Sequence, residues 1–372
     1  MNPGRLWAMA RKEVIQLRRD TRSLILAFVL PLLLLVLFGY AISFDVTNVK
    51  TAVLDQDRSA ASRELLDAFR ASGYFSLNAE LERPGEIGPL LERGGAQIVL
   101  VIPPDFSRNL GAGRPAQLQA IVDGSDANTA TIVLAYTRAI AQSYSMRVQF
   151  AGVSRVPPVQ LESRVWFNEE LTSRNMIVPG LVAVIMMIVA SMLTSLTIAR
   201  EWERGTMEQL ASTPVSRAEV VLGKLLPYVV IGLVDVAVSA VLGVWLFGVP
   251  FRGSPWLLLA ASTAFLFGGL GLGIFLSAAT RSQLLATQVA MVVTFLPAFL
   301  LSGFLYAIQN MPLALQAVTL LVPARYFIVV TRGVFLKGVG VEALYVQGLL
   351  MIAFAFIGVA LAIRAFRKEL PQ

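Results

Sequence analysis

The sequence predicts a polytopic α-helical membrane protein: six transmembrane helices, with an extracytoplasmic α/β domain inserted between the first and the second. Three observations carry that prediction. Of 372 residues, 56% are apolar and only 15% charged, against roughly a quarter charged in soluble domains, and the mean hydropathy is +0.68. Apolar runs long enough to cross a bilayer, about 18 residues or more, recur along the chain. One stretch, 45–174, breaks the pattern, because short β-rich runs alternate there with helical ones, as in an α/β domain.

Residues 1–22 carry Arg5, Arg11, Lys12, Arg18, Arg19 and Arg22, with Leu6, Trp7, Ala10, Val14 and Leu17 at helical spacing between them. A basic amphipathic helix of this kind lies in the membrane interface. The run 23–44 is the first span. A signal-peptide reading competes, because Ala41-Ile42-Ser43 resembles a cleavage site. The run exceeds the roughly 7–15 residues of a signal core, so an uncleaved signal anchor is expected. Within 45–174, "VKTAVLDQD", "FSLNAELE", "AQIVLVIP" and "AQLQAIVDG" read as strands, and a longer helix is expected from about Asp126 to Phe150. Residues 175–372 hold five more spans, near 176–199, 219–247, 256–279, 284–306 and 342–363. The connection 304–341 is too apolar for an ordinary loop, and Pro312 and Pro323 cut it into pieces too short to span. Short helices half-buried in the membrane face are expected there.

Basic residues set the orientation. Those of 1–22, with Arg200, Arg204, Arg217, Lys224, Arg281, Arg364, Arg367 and Lys368, fall on one side, whereas the short connections on the other hold only Arg252, Arg325, Arg332 and Lys337. By the positive-inside rule both termini are cytoplasmic and 45–174 is outside. The sequence pI near 9.9 is therefore an orientation signal and not a nucleic-acid one. There is no cysteine and no histidine, which excludes disulfides, thiolate chemistry and histidine general bases.

Between two spans lies "AREWERGTMEQLASTPVS", 199–216, within a cytosolic loop 200–218. A plain turn needs only about 2–8 residues. This segment is longer, reads as helical from Glu201 to Leu210, and shows Trp202, Met207 and Leu210 as apolar contacts; Ser212-Thr213-Pro214 ends the helix, and Ser216 with Glu219 forms a capping box for the next. A charged amphipathic helix at a membrane face is a docking element. The segment "AREWERGTMEQLASTPVSRAEVVLGKLLPY" resembles the most recognisable part of the ABC-2-type permeases, the membrane subunits of ATP-binding cassette exporters. "LSGFLYAIQNMP" and "LVPARYFIVVTRGVFLKG" are similar to the same family, and "TAVLDQDRSAASRELLDAFRASGYF" to its subgroup with a large extracytoplasmic domain. The resemblance implies a coupling helix inserted into an ATPase, made here by Glu201, Trp202, Glu203, Arg204, Gly205, Thr206 and Glu208, with 1–22 as the connecting helix. It further implies a cytosolic ATPase partner that binds ATP and Mg, no cofactor in this chain, and a second permease subunit in a homodimer or paralogous heterodimer. An extracytoplasmic adaptor protein is a further expected partner.

Other signals are weaker. Gly223-Lys224 is no P-loop, since Ala218 stands where the first glycine belongs and Leu225 where the hydroxyl belongs. "GGLGLG" at 268–273 lies inside a span, where glycines allow close helix packing. Asp235 is the one acid deep in a span; such residues face the bundle interior and line a path or an interface, or are satisfied structurally. Asp55, Asp57, Asp123 and Asp126 read as turn formers rather than metal ligands. Two other classes compete with an exporter: an ion-coupled secondary transporter, which calls for several intramembrane ionisable residues, and a membrane-anchored sensor or scaffold.

Overall fold

The computed structural model describes residues 1–42, 46–149, 166–168 and 172–366. Ser43 of the Ala41-Ile42-Ser43 triplet, the portions 150–165 and 169–171 of the inserted stretch, and the tail with Arg367 and Lys368 lie outside the described residues. The chain forms two compact units, Met1–Ser43 with Arg164–Gln372, and Phe44–Ser163.

In the first unit α1 (Pro3–Arg19) starts on Asn2, whose side chain accepts the Gly4 N–H, and ends on Arg18 and Arg19, cations that suit the carbonyl end of a helix. After a break at Asp20, α2 (Thr21–Ala41) is almost wholly apolar. The second unit starts next in the chain. There β1 (Val49–Asp55), α3 (Ala60–Ala71), β2 (Phe75–Glu80), α4 (Ile87–Glu92), β3 (Ile98–Ile102), α5 (Phe106–Gly111), β4 (Gln119–Val122) and α6 (Ala127–Gln149) follow in order. The four strands fall on the four β-rich runs. They make one sheet in the order β2-β1-β3-β4, with β1 parallel to both neighbours and β4 antiparallel to β3. One sheet face packs Val49, Val53, Ile98 and Leu100 against Leu65, Phe69 and Val133 of α3 and α6; the other packs Ala52 and Val99 against Leu90 and Leu91 of α4. The strand-end aspartates bond locally: Asp55 accepts from Asp57, Arg58 and Ser62, and Asp123 from Ser125. Burial alone would raise the Asp57 carboxyl, but hydrogen bonds from Ser59 and Ser107 outweigh it and hold it below its ordinary value.

The chain then returns to the first unit as α7 (Ser173–Glu203), buried on every side from Ile177 to Ala190, as a helix apolar all round must be. Its 31 residues reach about 46 Å at 1.5 Å each, past the roughly 30 Å of a bilayer's hydrocarbon. It is therefore longer than a span requires, and its last turn is charged. Next come α8 (Met207–Ala211), α9 (Arg217–Trp245) with the expected Ser216–Glu219 capping box, and α10 (Pro255–Thr280). α11 (Gln283–Ala290) runs through a π-helical turn into α12 (Leu296–Leu300), ending six residues before the expected limit near 306, where the chain turns at Gly303 with φ +81°. The segments α13 (Leu313–Thr319) and α14 (Pro323–Arg332), the latter extended by a π-helical turn to Lys337, meet at 78°. The two prolines open these two pieces. α15 (Val341–Ala365) closes the unit.

Among the described residues α7, α9, α10, α11 with α12, and α15 are long and apolar enough to cross a bilayer, and α2 adds the shorter apolar stretch Ala27–Ala41. Their packing uses glycine, as the "GGLGLG" run suggests. A Cβ on Gly271 would lie 2.6 Å from the Gly358 carbonyl carbon, and one on Gly273 would lie 2.5 Å from the Ser191 oxygen. α10 thus approaches α15 and α7 backbone to backbone.

Candidate functional site

The charged end of α7 is held by four consecutive side chains, which between them reach α1, the joint of α1 and α2, α9, and the joint of α10 and α11. Arg200 donates to Asp20, at the joint of α1 and α2, at 2.5 Å. Glu201 meets Lys12 of α1 at 3.1 Å and Lys224 of α9 at 3.0 Å. The Trp202 ring lies under the Arg281 guanidinium, 4.5 Å from its centroid, at the joint of α10 and α11. Glu203 accepts the Gln283 backbone N–H at 2.7 Å and also its side-chain amide. One turn further back, the Ser277 hydroxyl of α10 accepts from the amides of Ile198 and Ala199.

Glu201 belongs to a buried ion cluster. Lys224 is 1% exposed and donates to Glu13 of α1 at 2.8 Å, while Tyr228, one helical turn along α9, donates its hydroxyl to the other Glu13 oxygen at 3.1 Å. Two cations, Lys12 and Lys224, face two carboxylates, Glu13 and Glu201, so the cluster is neutral. α1 sits against α9 closely enough that a Cβ on Gly223 would lie 2.6 Å from the Met9 Cβ. Asn2 donates its backbone N–H to Glu219, and Arg5 donates to the Pro214 carbonyl, each at 2.6 Å.

These contacts divide the predicted site residues. Glu201, expected to be displayed for docking, is 2% exposed and points inward, because its position on α7 faces α1 and α9. Trp202 is half-buried under Arg281, and Glu203, although exposed, is engaged by Gln283. The helix expected over Glu201–Leu210 is not continuous. α7 persists to Glu203, the chain reverses at Gly205 with φ +68°, a conformation that favours glycine, and α8 starts at Met207. Thr206 closes the turn by donating to the Glu201 carbonyl. Met207 and Leu210 are buried and anchor α8, leaving Arg204 and Glu208 exposed. Asp235 lies apart from this set, eleven residues beyond Lys224 on α9, or about 16 Å along the axis. It is 1% exposed, and its Oδ2 has no hydrogen-bond partner among the described residues.

Sequence reasoning missed Glu13, Lys224, Tyr228, Asp20, Arg281 and Gln283. A signal for two of them exists. Glu13 interrupts the buried stripe Met9, Ala10, Leu17 of α1, and Lys224 interrupts the apolar run of α9; an acid and a base each placed inside an apolar face call for one another. Removing one member of a buried ion pair costs about 3–5 kcal/mol, because the other stays charged in a dry site. Lys224→Met should destabilise the full chain by that amount in a denaturant titration in detergent, and adding Glu13→Gln and Glu201→Gln should restore part of the loss. A loss no greater than that of Arg204→Met, an exposed control, would contradict the cluster's role.

Comparison with known proteins agrees with this architecture. A family model described as ABC-2 family transporter protein matches residues 21–364. The chain is 39% identical to the probable multidrug ABC transporter permease YbhS of Escherichia coli K12, over 95% of both chains. It is 31% identical to the probable multidrug ABC transporter permease YbhR of the same organism over 92% of both, and 28% identical to its inner membrane transport permease YhhJ over 86% of this chain and 85% of the relative. With the family model covering nearly its whole length, and a run of apolar helices gathered about α7, the chain belongs to the ABC-2 family of transporter proteins and is a membrane subunit of an ABC transporter.

Proposed function

We propose that the chain is the permease subunit of an ATP-driven exporter in a bacterial inner membrane, working with a separate cytosolic ATPase and a second permease subunit. The observation that carries this reading is the division of 200–208: Arg200 to Glu203 are clamped to four parts of the unit, and Arg204 and Glu208 are left exposed beside them. The exposed part is the docking surface, and the clamped part carries displacement into α1, α9, α10 and α11. In this reading α2, α7, α9, α10, the α11–α12 run and α15 are the six spans, and α13 and α14 are half-buried in the outer face. The positive-inside bias supports cytoplasmic termini and an outer β1–β4 unit, available to an adaptor protein. Asp235, buried in α9 with an oxygen that has no partner among the described residues, suits the wall of a path or subunit interface better than a structural acid. The names of the relatives YbhS and YbhR support a drug as substrate.

The docking surface is tested by charge reversal. Arg204→Glu with Glu208→Lys leaves every clamp intact, so folding and subunit pairing should be unchanged. Desolvated interface charges cost about 2–5 kcal/mol when a partner is lost. The variant should therefore lose co-purification with the ATPase, or keep it and lose substrate-stimulated hydrolysis. If both survive, the segment does not couple.

Orientation has its own test, since a chain without cysteine accepts single reporters. In intact spheroplasts a membrane-impermeant thiol reagent should label Ser125→Cys of the sheet unit and leave Ser212→Cys untouched until the membrane is permeabilised. Labelling of Ser212→Cys from outside would reverse the assignment.

A further inference from the structure

The sequence places Leu6, Trp7, Ala10, Val14 and Leu17 on one membrane-facing stripe of α1, and the structure divides that stripe in two. Ala10 and Leu17, with Met9 and Glu13, are buried against the unit; Trp7 is 71% exposed and Val14 also faces outward. Trp7, Arg11, Val14 and Arg18 stand at spacings of four, three and four, which is one continuous line along a helix, alternately apolar and basic. That line forms one rim of an open groove of about 610 Å³, whose floor and far wall are apolar side chains of α2 and α9, including Phe28 and Val230. The two acids of residues 1–22 are both committed elsewhere, Glu13 to Lys224 and Asp20 to Arg200. Neither Arg11 nor Arg18 has an ion-pair partner among the described residues.

We propose that this groove is a binding site for an anionic phospholipid: its acyl chain lies along Val14, Phe28 and Val230, and its phosphate is held between Arg11 and Arg18. The argument is complementarity of both parts of the ligand. An apolar trough of this size suits a hydrocarbon chain. Its two guanidiniums, about 10 Å apart along the helix, are the only charges among the described side chains that line it, and a guanidinium pairs with phosphate oxygens in a fixed geometry. Trp7 at the mouth is the side chain that membrane–water interfaces favour. A zwitterionic lipid would fill the trough equally well but would bring a cation towards the arginines.

The test uses the full chain in lipid nanodiscs made of phosphatidylcholine. Small fractions of brominated-acyl phosphatidylglycerol or brominated-acyl phosphatidylcholine are added, and Trp7 emission is isolated as the difference between the unsubstituted chain and Trp7→Phe. Near an anionic lipid surface each basic side chain is worth about five-fold in partition. The glycerol lipid should quench Trp7 at severalfold lower fraction than the choline lipid; Arg11→Gln with Arg18→Gln should bring the two to parity, and Arg11→Lys with Arg18→Lys should keep the preference. Equal quenching by both lipids in the unsubstituted chain would overturn the proposal, as would a preference that survives the glutamine pair. So would a Trp7 that neither lipid quenches, since a second copy or another protein would then cover the groove. No arm depends on ATPase docking or transport, so this proposal and the proposed function stand or fall separately.

Discussion

Burying Lys224 obliges three helices to meet. An ammonium at 1% exposure is tolerable only if carboxylates come to it, and here they come from Glu13 on α1 and Glu201 on α7. Lys12 then balances the second carboxylate, and Tyr228 satisfies the remaining oxygen of Glu13. The requirement is local and electrostatic, but its consequence is architectural. α1, which its sequence would allow to drift along a membrane surface, is fixed against α9, and the end of α7 is fixed against both. Close packing follows, as at Gly223 and Met9, and so do the contacts of Asn2 and Arg5 with the start of α9 and the loop before it.

That constraint accounts for Glu201, and separate internal contacts account for its neighbours in the charged stretch 199–216. Its first four charged or aromatic residues are internal fasteners, and only afterwards does the chain turn at Gly205 and present polar groups outward. A force applied to α8 therefore meets a short segment seated on Met207 and Leu210, and through Arg200 to Glu203 it meets α1, α9, α10 and α11 together. Packed interfaces with discrete arrangements move as bodies rather than bending continuously. In the proposed coupling role, such an arrangement would transmit displacement without requiring any single long lever.

Much of the fold was legible because its signals are local. Apolar length marked the helices that can cross a bilayer, alternation marked β1 to β4 in their runs, Ser216 with Glu219 marked the start of α9, and Pro312 with Pro323 marked the bent pair α13 and α14. The candidate site was legible only as a segment. Side-chain direction at the end of α7 depends on what lies opposite, so the burial of Glu201 could not be read from the composition of 200–208. Apart from Glu201 with Lys224, the ion pairs of the site join residues about two hundred positions apart, and no periodicity links Glu13 to Lys224. The stripe on α1 failed for a related reason, since amphipathicity shows that a helix has an apolar face but not whether protein or lipid covers each part of it.

The central claim is that Lys224 holds α1, α9 and the end of α7 as one body, and amide hydrogen exchange of the full chain in nanodiscs tests it most directly. In the Lys224→Met variant, protection should fall together in Pro3–Arg19 and in Met207–Ala211, although neither segment contains the substituted residue. Loss of protection confined to α9, with α1 and α8 exchanging as before, would contradict the account.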